Sequence, residues 1–76
     1  MRSFTDRRGA RWDVVVGRES WGALLALFVP AGPADGRTVR QAPLRASGYN
    51  EADRELARLD DGALHLLFDR SNPKES

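Results

Sequence analysis

Side chains that could carry out catalysis are few in this chain, and they are not grouped. The single histidine, His65, lies four residues before Asp69, and the sequence contains no cysteine. A general base or a nucleophile needs a second group that orients or activates it, and no residue has the spacing to do this for His65. On a helix, the four-residue spacing instead favours a surface pair between His65 and Asp69. We therefore expect a non-enzymatic protein with no catalytic residue.

Motifs for metals, phosphates and cofactors are also missing from the sequence. Asp60 and Asp61 are adjacent carboxylates, but calcium takes six or more oxygen ligands, and helix capping explains the pair better. The glycine-containing segment 32–36 lacks the lysine and hydroxyl residues of a phosphate-binding loop, and no zinc spacing occurs. The sequence thus predicts no metal and no cofactor, and it indicates no small-molecule substrate.

Arginines and aromatic residues suggest a second kind of chemistry, the binding of single-stranded RNA or DNA. Aromatic rings can stack on bases while guanidinium groups contact phosphates. The aromatic candidates are Phe4, Trp12, Trp21 and Tyr49, and the arginines are Arg7, Arg8, Arg11, Arg37 and Arg40. The net charge of +1 neither favours nor excludes a polyanionic partner. Because large aromatic residues in a small domain usually belong to the core, nucleic-acid binding is the alternative hypothesis.

Length and composition predict one small globular domain. The chain has 76 residues, of which 41% are hydrophobic and 30% charged. We expect the domain to occupy residues 1–70 and residues 71–76 to form a frayed tail, because the final residues offer nothing apolar to anchor them. No apolar run is long enough to span a bilayer and no secretory signal is present, so we expect a cytoplasmic protein and no membrane partner.

The first element that positions these residues is a β-hairpin at the N-terminus. Asp6 can accept backbone hydrogen bonds in a turn, and Gly9 can adopt the left-handed conformation that closes a type I turn with a bulge. The resulting register places Phe4 directly across from Trp12.

The middle of the chain predicts two more strands. Residues 24–29 are uniformly apolar, which fits either a buried strand or a helix capped by Ser20. The short run and the nearby Gly22 favour the strand. Residues 37–44 are polar and contain Pro43, a composition typical of an edge strand.

After residue 48, the spacing of the apolar residues changes to the three- and four-residue repeat of an amphipathic helix. Asn50 and Asp60 are placed to cap two short helices. The apolar residues of the first are Ala52, Leu56 and Leu59, and those of the second are Ala63, Leu64, Leu67 and Phe68. The predicted fold is therefore α+β: a small antiparallel sheet of three or four strands, with the hairpin first, packed by one or two short C-terminal helices.

The predicted sheet has more apolar surface than two short helices can cover. Successive side chains of a strand point to opposite sides, so the uniformly apolar residues 24–29 make both sides of this strand apolar. In antiparallel sheets with one face in water, apolar and polar residues usually alternate along each strand. The sheet could close on itself, pair with a second copy or dock on a larger protein. We favour association, as a homodimer or an accessory subunit, because it adds apolar burial to a small core. The predicted interface residues are Val15, Trp21, Leu25, Leu27, Val29 and Leu66.

Overall fold

Five antiparallel strands and two helices make up the part of the chain that the computed structural model describes, residues 2–19, 22–32 and 36–74. The elements are, in chain order, β1 (Arg2–Thr5), β2 (Arg11–Arg18), β3 (Leu24–Pro30), β4 (Arg40–Pro43), α1 (Tyr49–Arg58), α2 (Asp61–Asp69) and β5 (Asn72–Pro73). The strands lie in the order β1-β2-β3-β4-β5, and the sheet is not closed. The α+β prediction is confirmed, and a closed sheet is excluded.

The N-terminal hairpin forms as its turn residues predict. Asp6 N–H donates to the carbonyl of Ala10 at 2.9 Å, and Gly9 N–H donates to the carbonyl of Asp6 at 3.0 Å. Gly9 has a φ of +86°, a conformation that favours glycine. Phe4 pairs with Trp12 in the predicted register. Both rings lie in the buried core.

The prediction of a strand at residues 24–29 is also confirmed. β3 pairs with β2 from Trp12↔Pro30 to Arg18↔Leu24. Because side chains alternate along a strand, one side of β3 contributes Ala26 and Phe28 to the core, while the other side points away from it. The alternative helix cap, Ser20, lies outside the described residues.

The two helices begin at different kinds of cap. Asp60 caps α2 as predicted, because its Oδ1 accepts the Ala63 N–H at 2.8 Å. The prediction that Asn50 caps α1 was wrong: Gly48 is the cap residue and makes no side-chain cap bond. Asn50 instead lies within the first turn of α1. The helices pack on the sheet through side chains such as Leu64, which is fully buried. None of the described helices is long and apolar enough to span a membrane.

The expectation of a frayed tail over residues 71–76 was wrong for residues 71–74. Asn72 and Pro73 pair with Gln41 and Arg40 as β5, and Lys74 N–H donates to the carbonyl of Val39 at 2.8 Å. Residues 72–74 are held because β4 and the residue before it supply backbone partners, which the local sequence cannot reveal. The sheet therefore has five strands where three or four were predicted, and β4 is not an edge strand. Residues 75 and 76 lie outside the described part of the chain.

A cluster of aromatic side chains forms the centre of the core, between the sheet and α2. The ring centroid of Phe68 lies 5.3 Å from that of Phe4, 5.1 Å from that of Trp12 and 5.1 Å from that of Phe28. Tilted and edge-to-face contacts of this kind stabilise aromatic pairs beyond the burial of their area. The core thus occupies one side of the sheet.

Candidate functional site

The side of the sheet opposite the helices forms what we call the open face. Its strand residues are Ser3, Thr5, Arg11, Asp13, Val15, Gly17, Leu25, Leu27, Val29, Gln41, Pro43 and Asn72. Val15, Leu27 and Val29 are half-buried there, and Val15 pairs directly with Leu27. Leu25 is only 8% exposed, so it adds little surface. The apolar centre of the open face is therefore Val15, Leu27 and Val29.

Gly17 determines how Leu27 lies on this face. A Cβ atom added to Gly17 would lie 2.8 Å from Leu27 Cγ, which is closer than carbon atoms approach without displacement. Leu27 therefore lies across the bare backbone of Gly17 and is partly covered by it.

Few charged residues lie on the open face. Among its strand residues, the charged ones are Arg11, next to the hairpin turn, and Asp13, which pairs directly with Val29. Gln41 pairs with Leu27, and its Oε1 is buried with no hydrogen-bond partner among the described residues. The apolar centre itself therefore carries no charge, and the Asp13 carboxylate borders it beside Val29.

The six predicted interface residues do not form one surface. Leu66 is 63% exposed, but it belongs to α2, on the other side of the sheet from the open face. Trp21 lies outside the described residues. The structure thus brings together Val15, Leu27 and Val29, has Leu25 largely buried beside them and separates Leu66 from all four.

A cleft of about 730 Å³ lies on the helix-covered side of the sheet, at the hairpin end. It is bounded by the β1–β2 turn, by the segment that leads into β4 and by the end of α2. Four of the five arginines considered for nucleic-acid binding line it, namely Arg7, Arg8, Arg37 and Arg40. Together with the underlying Trp12 and Phe68, they form what we call the arginine cleft. Arg11 belongs to the open face and is not part of the cleft.

Two of these arginines are held by the backbone and by aromatic rings. Arg37 donates from Nη2 to the carbonyl of Ala31 at 2.8 Å, and its guanidinium carbon lies 5.0 Å from the ring centroid of Trp12. Arg40 donates from Nε to Ser71 Oγ at 2.8 Å and from Nη2 to the Ser71 carbonyl at 2.6 Å. Cation–π contacts and multiple hydrogen bonds fix both guanidinium groups in place.

Arg7 and Asp69 form an ion pair of 2.6 Å beside the cleft, with side chains that are 61% and 46% exposed. The predicted pair between His65 and Asp69 is absent, because Asp69 turns to Arg7. His65 packs against Phe4, with ring centroids 4.9 Å apart. Its Nδ1 is buried and has no hydrogen-bond partner among the described residues.

Asp6 lines the arginine cleft, but its carboxylate is engaged by the hairpin. Oδ1 accepts the N–H groups of Arg8 and Ala10, both at 2.9 Å, and Oδ2 accepts Trp12 Nε1–H at 3.0 Å. Burial raises the pKa of Asp6, but the hydrogen bonds from Trp12, Ala10 and Arg8 and the Arg8 charge outweigh it. The pKa therefore lies below its ordinary value of 3.8.

The aromatic residues that the structure describes do not form the stacking surface that nucleic-acid binding would require. Trp12 is only 4% exposed, and Phe4 is equally buried in the core. Tyr49 is exposed but lies on α1, where the guanidinium carbon of Arg18 is 5.3 Å from its ring centroid. The arginines in the cleft could be identified from the sequence, and the burial of Phe4 and Trp12 agrees with the expectation that large aromatic residues belong to the core. Comparison with protein-family models, curated proteins and solved structures finds no match to this chain.

Proposed function

We propose that the protein is a non-enzymatic association module of the cytoplasm that forms a homodimer through its open face. The observation that carries this proposal is the uncharged apolar centre formed by Val15, Leu27 and Val29 on a face that no described helix covers. Interfaces commonly have such a centre, depleted of charge, within a more polar rim. Arg11 supplies charge at the rim, and Asp13 borders the apolar centre beside Val29.

The breadth of the open face supports a dimer. The principal extents of the molecule are 32, 29 and 19 Å, and the open face lies on the broad side that the two longer extents span. A stable interface of standard size buries about 800 Å² on each partner. An interface of that size would extend from the apolar centre onto the polar residues around it.

The chemistry of the face favours a second copy as the partner. A twofold interface brings the same patch together from both subunits, so the patch must complement itself. Uncharged apolar side chains meet this condition. The amide of the exposed Asn72 does so as well, because it carries both donors and an acceptor. Burying apolar area at about 25 cal/mol per Å² also adds stabilisation that a small core lacks.

Sedimentation velocity across micromolar concentrations tests the proposal. We expect the wild type to be a dimer, and we expect Val29→Lys and Leu27→Lys to sediment as monomers because each places a charge in the apolar centre. Leu66→Lys is the matched control, since it adds the same charge to an exposed apolar residue on α2; it should remain dimeric. Circular dichroism of each variant shows whether it is folded, and Val29→Lys serves if Leu27→Lys unfolds.

Two results would contradict the dimer. One is a wild type that stays monomeric at the highest concentrations, which would leave a larger protein as the partner to be sought. The other is a dimer that Leu66→Lys dissociates and folded Val29→Lys does not, which would place the contact on the helices.

A further inference from the structure

The arginine cleft gathers positive charge from two distant parts of the chain. Arg7 and Arg8 come from the hairpin turn, and Arg37 and Arg40 come from the segment that leads into β4. The described carboxylates in the cleft are those of Asp6 and Asp69. The first accepts three hydrogen bonds within the hairpin, and the second is paired with Arg7. Guanidinium groups therefore outnumber carboxylates in the lining that the structure describes.

The donors of the cleft are partly fixed before any ligand arrives. Arg40 uses Nε and Nη2 to hold Ser71, while its Nη1 makes no hydrogen bond to the described residues. Arg37 is oriented by the carbonyls of Arg11 and Ala31 and by the ring of Trp12. Side chains that are already ordered lose less conformational entropy when a ligand binds. Planar guanidinium groups also match the oxygen geometry of phosphate.

The size of the cleft indicates what carries the phosphate. Its volume of about 730 Å³ lies within the range of roughly 300 to 1,000 Å³ that is usual for small-molecule sites. A lone phosphate ion would leave most of this space empty. Bases stack on guanidinium planes as well as on aromatic rings, and Arg37 and Arg40 lie over the rings of Trp12 and Phe68.

From this charge, order and size, we propose that the arginine cleft binds the phosphate groups of a nucleotide. The nucleotide is either free or the terminal residue of a single strand, because both present the same chemistry. Because the rings of Phe4 and Trp12 are buried, the described part of the chain has no row of exposed aromatic residues along which a longer strand could stack. The cleft is also on the opposite side of the sheet from the open face, so binding does not depend on dimerisation.

Calorimetric titration at low salt, with ATP and with adenosine, provides the first test. We expect ATP to bind, and its affinity to fall as salt is added. Adenosine should show no binding, because the phosphates make the contacts. A short oligothymidine with a 5′-phosphate, compared with the same strand without it, distinguishes the two sources. Preference for the phosphorylated strand over ATP identifies a strand end, and the reverse preference identifies a free nucleotide.

Three variants test the position of the site. Arg8→Gln should weaken ATP binding about tenfold or more, since it removes a charged donor at an exposed turn position. Arg45→Gln removes the same charge from an exposed position outside the cleft lining, and it should leave affinity unchanged. Asp69→Asn should tighten binding a few-fold, because it releases Arg7 and removes a negative charge.

Arg8→Gln and Asp69→Asn should change the affinity for ATP in opposite directions. Absence of ATP binding at low salt would end it. Equal losses in Arg8→Gln and Arg45→Gln would show attraction to net charge only, and equal binding of both unphosphorylated and phosphorylated strands would exclude recognition of a terminal phosphate. Chemical-shift changes confined to the hairpin turn, residues 36–40 and the end of α2 would support it.

Discussion

Asp6 Oδ2 accepts the indole N–H of Trp12 at 3.0 Å, and this bond joins the hairpin turn to the aromatic core. The same carboxylate closes the turn through Oδ1. Asp6→Asn keeps one acceptor oxygen but replaces the other with an amide that cannot accept the indole proton. We expect it to lower the free energy of unfolding by about 1 to 3 kcal/mol, measured by urea denaturation. Asp13→Asn, on the same hairpin, is the control and should change stability much less.

Part of the acid dependence of stability should also come from Asp6. Its pKa in the folded protein lies below the ordinary value of 3.8, so the unfolded chain takes up the proton more readily. The stabilisation from this carboxylate is therefore complete above that ordinary value and is lost as the pH falls through the lower pKa of the folded state. Urea denaturation repeated at acidic pH should show a smaller loss for Asp6→Asn than for the wild type. Equal losses would contradict this origin.

The contact between Gly17 and Leu27 predicts a strong coupling between these positions. Gly17→Ala places a methyl group against Leu27 Cγ, and overpacking of this kind costs about 1 to 3 kcal/mol. In the Leu27→Ala background the methyl group has room, so Gly17→Ala should cost little there. A double-mutant cycle at concentrations where the protein is monomeric measures the coupling. Additive effects of the two substitutions would show that Leu27 rotates away freely.

The cap of α2 makes a smaller, local contribution. Asp60→Ala removes the Oδ1 acceptor of the Ala63 N–H and should destabilise the protein by about 1 kcal/mol. Asp60→Asn retains an acceptor oxygen and should remain within a few tenths of a kcal/mol of the wild type. Thermal denaturation of both variants tests the difference, and similar losses would assign the effect to charge near the helix N-terminus.

His65 is a position where a polar group can be removed at little cost. Its Nδ1 is buried without a partner, and an unsatisfied buried polar atom costs about 1 to 3 kcal/mol. His65→Leu should therefore equal or exceed the wild type in stability. His65→Ala should be less stable, because it also removes the packing against Phe4. A clear loss of stability in His65→Leu would indicate a hydrogen bond to the ring nitrogen.

Several features that depend on neighbouring residues were predictable from the sequence, although the predicted cap at Asn50 and the pair of His65 with Asp69 were wrong. The turn chemistry of Asp6 and Gly9 predicted the register of Phe4 with Trp12, and the apolar run of β3 predicted a strand with two apolar sides. Asp60 was identified as a cap because its hydrogen bond spans three residues. In each case, the partners lie within a few positions or within one hairpin.

Features that depend on distant partners were not predictable. β5 exists because β4 offers it backbone groups, and Arg7 pairs with Asp69 across 62 positions of the chain. The arginines of the cleft were identified by type, but only the fold shows that the hairpin turn and the start of β4 meet. Leu66 was predicted to share an interface with residues of the sheet. Apolar character alone does not reveal on which side of the molecule an exposed side chain lies.

The short strand β5 links the C-terminus to the arginine cleft. Ser71 holds the guanidinium group of Arg40 immediately before β5, which has only two paired residues. Segments with so few hydrogen bonds open locally before the rest of a protein unfolds. Opening of β5 would release Arg40, so a ligand that needs this guanidinium in place would slow amide hydrogen exchange in the tail. The C-terminal residues would then report on the occupancy of a site that they do not line.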